Sequence, residues 1–321
     1  MLLAIKPKNR NIEKYLRVFE HAMKKITSIG EILFDIYPDG KKLGGAAFNF
    51  VYHIIKLTGK ANFVSRVGND SDGNEILDIL KNKNVSTEFI QIDQKHKTGI
   101  AETTLNEKKI PTFVIEKNRA YDFIELTNSL EKLISENTDC LYFGTLAQRN
   151  KQSRETIRYL SEKKVKCICD LNIRQNFYTP EIIEASLKVA NVLKLNEDEL
   201  ELVNKLVLKT EYDSTKTARK LLEIFNIELL CVTKGSAGAV LYSGDKENFY
   251  KISNNKVVDT VGAGDAYASL LCIGYLKNWN IEKCNKLASE FANEIVKIEG
   301  ALPDDDGVYE SFKEIILNED G

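Results

Sequence analysis

Asp259 to Leu276 reads DTVGAGDAYASLLCIGYL. Thr260 to Gly264 form a tight turn of small residues, and Ala266 onward is an apolar run long enough for a buried helix. Val257 and Val258, just before, are expected to end a buried strand. The turn therefore stands at a helix N-terminus, where the N–H groups of Gly262, Ala263 and Gly264 lack intrahelical partners and the helix dipole adds roughly half a positive charge. That is an anion site, and glycine at 262 and 264 lets the backbone approach a phosphate oxygen closely. Asp265 puts a carboxylate beside the bound anion, which is electrostatically awkward unless it has a second task. Taking a proton from a hydroxyl that attacks phosphorus is such a task, so the stretch reads as phosphoryl transfer. The alternative is an ordinary glycine-rich turn with Asp265 as a helix-capping acid, and a bare GAGD leaves both open.

The 321 residues suffice for one large α/β unit or two average domains. With 45 Lys plus Arg against 47 Asp plus Glu, the net charge of -2 asks for neither nucleic acid nor an anionic membrane as partner. No apolar run reaches the roughly 18 residues of a bilayer span, and Leu2 to Ile5 is too short for a signal-peptide core of about 7 residues or more. A soluble, cytoplasmic protein is expected. Six dispersed cysteines do not form a disulfide framework; Cys167, Cys169, Cys231 and Cys272 sit in apolar runs and read as reduced core residues. Zinc is a poor alternative, since no CxxC occurs.

In chain order, residues 1–22 stand apart: Ile12, Tyr15, Leu16, Phe19 and Met23 recur at helical spacing, giving a short amphipathic helix as an N-terminal extension. ITSIGEILF, from Ile26 to Phe34, reads as the first strand, with Asp35 at its carboxyl end, the edge where open α/β sheets bind ligands. YPDGKK is a turn. GGAAFNFVYHIIKLTG, from Gly44 to Gly59, is a glycine-started helix with Asn49 one turn in, either aimed at a ligand or simply exposed. NFVSRVG at 62–68 is a strand, and a helix follows from about Asp72 to Lys83. Residues 99–123 read as short strands with no helix; with residues 35–43 they make a small β-sheet lid that keeps water from a phosphoryl group. After Asp122, strands and helices alternate: CLYFGTL, SRETIRYLSEK, VKCICDLN, ASLKVA, VLKLN, EDELELVNKL, TKTARKLLEIF, and LLCVTKGSAGAVLYS as two strands about a glycine turn. This predicts an α/β fold with a mostly parallel sheet covered on both faces, in one domain over 23–321.

Three more stretches set polar groups at strand ends. DLNIR places Asp170, Asn172 and Arg174 there, LKLNEDE places Asn196 and Glu199, and VTKGSAG places Thr233, Gly235 and Gly238 in a turn whose hydroxyl and N–H groups suit phosphate oxygens. Each alone is equally a turn former, a solvated helix face or a hairpin glycine. Their joint occurrence at one sheet edge favours a site.

GGAAFN near one end and DTVGAGD near the other resemble the two signatures of the ribokinase-like, PfkB-type sugar kinases, and the similarity runs from about Met23 to Pro303. The resemblance implies a Rossmann-like three-layer fold with a β lid, and an enzyme that uses ATP and Mg2+ to phosphorylate a hydroxymethyl group of a sugar or nucleoside. It implies Asp265 as catalytic base, Gly262, Ala263 and Gly264 as anion hole, and Asp35, Gly44, Gly45 and Asn49 on the sugar hydroxyls. It implies that Asn196 and Glu199 act on the magnesium–phosphate cluster through water, and that Thr233, Gly235 and Gly238 form the nucleotide loop. Asp259, Val261 and Gly300 fall where many members bind K+. GGAAFNFVYH, RAYDFI, GTLAQRN and DLNIRQNFY look most like the fructokinase branch, although Ala47 stands where fructokinases commonly have proline. Arg174 faces a sugar hydroxyl or phosphate in that reading, and a substrate carboxylate in the 2-keto-3-deoxygluconate kinase alternative. Ribokinase and nucleoside kinase are further alternatives within the enzyme class. A catalytically silent sugar-binding sensor is the alternative outside it, disfavoured by the intact Asp265 and glycines. Many relatives pair their lids into homodimers, and the Thr112 to Ile115 strand offers an open edge for this.

Overall fold

The structure, a computed structural model, describes residues 24–105, 111–252 and 257–318. The helix expected within residues 1–22 lies outside them.

The alternation after Asp122 supplies six of the strands of the main sheet, and three earlier strands complete it, in the order β13-β12-β11-β10-β9-β8-β1-β4-β5. Its parallel part comprises β1 (Ile26–Ile29), β4 (Asn62–Gly68), β5 (Ile90–Asp93), β8 (Cys140–Gly144), β9 (Lys166–Asp170), β10 (Val192–Asn196) and β11 (Leu229–Thr233). The antiparallel strands β12 (Ala239–Ser243) and β13 (Lys246–Tyr250) finish one edge. Side chains alternate along each strand, so Cys140 and Tyr142 enter one core while Leu141 and Phe143 enter the other. The first core is covered by α1 (Ala46–Thr58), α2 (Ser71–Asn82), α8 (Ala263–Leu276), α9 (Ile281–Ile295) and α10 (Gly307–Leu317). The second is covered by α3 (Asn128–Asn137), α4 (Lys151–Ser161), α5 (Pro180–Val189), α6 (Glu197–Val203) and α7 (Ser214–Phe225). All six cysteines are buried free thiols. Among the described residues no helix is long and apolar enough to cross a membrane.

A separate four-stranded sheet, in the order β3-β2-β6-β7, is the lid: β2 (Leu33–Tyr37), β3 (Gly40–Gly44), β6 (Gly99–Leu105) and β7 (Pro111–Ile115). This corrects the single strand expected from Ile26 to Phe34. Ile26–Ile29 pairs with β4 and β8 in the main sheet, whereas Leu33 onward pairs with β3 and β6, the chain changing sheets over Gly30, Glu31 and Ile32. Both halves are apolar because each faces a core, so hydrophobicity alone does not mark the crossing. Asp35 accordingly lies within a lid strand, not at the carboxyl end of the first main strand. A short 3-10 turn, Ala120–Phe123, also interrupts the stretch expected to hold only strands.

Candidate active site

The carboxyl ends of β8 to β11 share one edge, and the N-termini of α1 and α8, which pack on each other, are brought to the polar groups there. Helix α8 begins with Gly262 as its N-cap at φ 79, and Asp265 falls in its first turn. The helix thus starts earlier than Ala266. Left-handed backbone at 262 is needed to leave the turn, and a Cβ there would lie 2.6 Å from Ala301 Cα. The Ala263 N–H reaches only the Thr260 carbonyl, at 3.4 Å. Val257 and Val258, expected to end a buried strand, are not in one: both side chains are exposed and the backbone there is irregular, with the Val258 N–H donating to the Val296 carbonyl. Apolar β-branched residues suggested burial, but both side chains face solvent.

Asp265 is buried, and Asn49 Nδ2 donates to its Oδ2 at 2.8 Å. Asn49 is therefore not an exposed helix residue; it sits one turn into α1, buried, with Oδ1 unpartnered. Burial pushes the Asp265 carboxyl up to about 7, Asn49 opposes this, Asp170 adds to it, and Lys194 and Arg174 oppose it. A carboxyl poised near neutrality suits a general base.

Asp170 ends β9, fully buried. Its Oδ2 takes an ion pair from Lys194 Nζ at 2.7 Å and a hydrogen bond from the Tyr142 hydroxyl at 3.3 Å, while Oδ1 has no partner. Lys194 is a site residue that motif reading passed over. It lies in the middle of buried β10, and its ammonium is 3.3 Å from where a Cβ on Gly264 would stand. Burial works against its charge, but Asp170 overrides this and its pKa is raised. A lysine between Leu193 and Leu195 in a buried strand was the available signal, because such a charge demands a partner.

Glu31, beside the site, is another buried charged residue that motif reading passed over. It is buried with Oε2 unpartnered; burial raises its pKa, while its own backbone N–H, Arg174 and the N–H groups of Ala47 and Ala46 at the start of α1 oppose the rise. Helix α1 starts on Gly45 at φ 109, where a Cβ would meet the Glu31 carbonyl oxygen at 2.6 Å. Asp35, from the lid, lies against Gly44; burial pushes it up to about 6, with Arg174 opposing and Asp259 adding. Arg174 is exposed, its guanidinium makes no hydrogen bond among the described residues, and it acts on Glu31, Asp35 and Asp265 together.

The remaining expected residues flank this centre. Asn196 caps α6 and Glu199 is buried rather than solvated, its Oε2 accepting from Asn196 N at 2.8 Å and its Oε1 from Ile173 N at 2.6 Å. Asp259 bridges Val261 N at 3.0 Å and Gly300 N at 2.9 Å, so these three residues do come together. Thr233, Gly235 and Gly238 follow β11 at the same sheet edge, with Thr233 opposite Asn196 in register. Among the described residues no hydrogen bond or ion pair joins them to Asp265, and Gly238 packs on the Tyr250 carbonyl as a hairpin former.

The chain is 30% identical over 273 residues to an uncharacterized sugar kinase from Pyrococcus horikoshii, covering 78% of this chain and 83% of that one. The crystal structure of that kinase in complex with ATP superposes with a TM-score of 0.74, at 25% identity, over 91% of this chain and 99% of that one. The Escherichia coli fructokinase is 29% identical over 266 residues, 78% of this chain and 84% of the relative. The fold of Xylella fastidiosa fructokinase with bound ATP also matches, with a TM-score of 0.77 at 19% identity over 93% of this chain and 99% of that one. Residues 23–306 match the model of the pfkB family carbohydrate kinases, and the chain belongs to that family: it is a sugar kinase, a phosphotransferase acting on a sugar hydroxyl.

Proposed function

We propose that the chain transfers the γ-phosphoryl group of ATP to a hydroxymethyl group of a monosaccharide, fructose first among candidates. The observation that carries this is Asp265, poised near neutrality by burial at the N-terminus of α8, with the Lys194 ammonium beside Gly264. In this reading Asp265 takes the proton of the attacking hydroxyl, and Gly262, Ala263 and Gly264 with Lys194 hold the transferring group's oxygens. Asn49 orients the base while offering its free Oδ1 to a sugar hydroxyl; Asp35, Gly44, Gly45 and Arg174 complete the sugar side. Thr233, Gly235 and Gly238 carry the nucleotide, as supported by the ATP complex of the Pyrococcus horikoshii relative.

In the same reading magnesium is held through water. Both oxygens of Glu199 already hold backbone N–H groups, and the free acceptor nearby is Asp170 Oδ1, whose charge acts on Glu199. Asn196, Glu199 and Asp170 would thus order metal-bound waters, the ion supplying charge neutralisation on the phosphates. Asp259, Val261 and Gly300 are the residues for a K+ ion, and the outer edge of β7 is the surface for pairing two lids.

Substrate choice turns on Arg174. An exposed guanidinium with no hydrogen bond favours, as a second reading, a substrate carboxylate, as in 2-keto-3-deoxygluconate kinases. A coupled ADP-release assay with Mg-ATP against fructose, ribose, 2-keto-3-deoxygluconate and adenosine, with and without K+, separates these. Selective turnover of fructose is expected; preference for the keto-acid would replace it with the second reading, and absence of turnover with all four would sink both.

A further inference from the structure

A cavity of about 230 Å³ lies where the chain after β7, the start of α4 and the start of α5 meet, and none of its lining residues belongs to the site above. Its walls include Lys117, Arg149 and Arg154, faced by a single carboxylate, Asp122. That carboxylate is already spent: Arg149 Nε and Nη2 donate to it at 2.8 and 2.9 Å, and the Arg119 N–H donates at 3.0 Å. Lys117 and Arg154 have no carboxylate partner among the described residues; Arg154 donates to the Gln148 carbonyl, and Lys117 lies 5.4 Å over the Phe177 ring.

Two helix N-termini converge on the same space. Asn150 caps the eleven residues of α4, Thr179 caps the ten of α5, and both caps line the cavity. Their positive ends add to the cationic side chains. The side chain of Arg149, only 6% exposed, lies 4.5 Å over Phe177 and keeps Nη1 buried with no partner. Two cations without a carboxylate partner among the described residues and two helix starts lining one cavity are the chemistry that recognises phosphate.

We propose that this cavity binds the phosphate group of a small phosphorylated molecule, at a site distinct from phosphoryl transfer. It lies one loop from the sugar side: Arg174 and the lining residues Asn176 to Thr179 share the segment after β9, and Gln175 accepts the Ile115 N–H of the lid at 3.2 Å.

The test is calorimetric titration of the full chain with inorganic phosphate and with glycerol 3-phosphate, in saturating Mg-ADP so that the nucleotide site is filled. Binding of at least one probe is expected, weakened about tenfold or more in the double variant Lys117→Ala, Arg154→Ala by loss of charge-assisted hydrogen bonds. An unchanged far-ultraviolet spectrum and melting temperature would show that this variant folds. The proposal fails if neither probe binds the wild-type chain, or if the folded variant binds as tightly. The readout is independent of turnover, so it stands or falls separately from the kinase reading.

Discussion

Helices α1 and α8 begin alike and end up with different work. Each starts on a left-handed glycine, Gly45 or Gly262, pressed against backbone, and neither has a side-chain cap. At α1 the chain supplies its own acceptor, for the buried Glu31 carboxyl faces the N–H groups of Ala46 and Ala47. At α8 no carboxylate among the described residues fills the start; a second positive charge, Lys194, is held there instead, and the carboxylate of Asp265 is tied to Asn49 of the other helix. A filled helix start is structural, whereas one left open beside a paired lysine is set up for an external anion. The same local geometry therefore separates scaffold from chemistry only when the charges around it are counted.

The sharpest way to break this contrast is Asp265→Asn. If α8 carries the chemistry, turnover falls about 10²- to 10⁴-fold while ATP affinity holds, measured by steady-state kinetics and nucleotide titration. Stability should move the other way. The folded carboxyl is raised from 3.8 to about 7, so its contribution is present below pH 4 and lost as pH rises through 7. At pH 8 the asparagine variant, free of a buried charge, should unfold at equal or higher urea than wild type. Turnover within a few-fold of wild type would remove Asp265 as the base.

The opposite behaviour is expected at α1. Glu31→Ala leaves the N–H groups at the start of α1 facing no acceptor, which costs about 1–3 kcal/mol in urea unfolding, with turnover within about threefold. A loss of turnover comparable to that of Asp265→Asn, at unchanged stability, would put Glu31 in the chemistry and erase the difference between the two helix starts.

These two sites also mark how far the sequence was legible. The alternation of strands and helices after Asp122 is legible because β8 to β12 are largely buried while the helices between them bury one apolar face, and the glycines bracketing α1 fixed both its ends. The motif residues Asn49, Asp170 and Asp265 did converge, since the ends of parallel strands and the starts of the covering helices lie together by topology. Legibility stopped where pattern and neighbour disagree. ITSIGEILF is apolar in two sheets at once; Val257 and Val258 are apolar yet exposed; Lys194 is charged yet buried. In each case the deciding fact is a partner distant in sequence, such as Asp170 for Lys194, and local hydrophobicity holds no record of it.

A smaller and more exact measurement joins the two helices through Asn49. Its amide donates to Asp265 and so favours the ionised base, against burial, which favours the neutral acid. Asn49→Ala removes the opposing influence, so the carboxyl should titrate above about 7, and the acid limb of kcat/KM should move to higher pH by on the order of half to one unit. Loss of the contact to sugar raises KM at every pH, but it does not move the limb, so the profile isolates the effect on the base. Glu31→Gln, which changes charge at the start of α1 without touching this bond, should leave the limb in place. A limb unmoved in Asn49→Ala would mean that the group titrating in catalysis is not the one Asn49 holds, and the link between the two helix starts would then be packing alone.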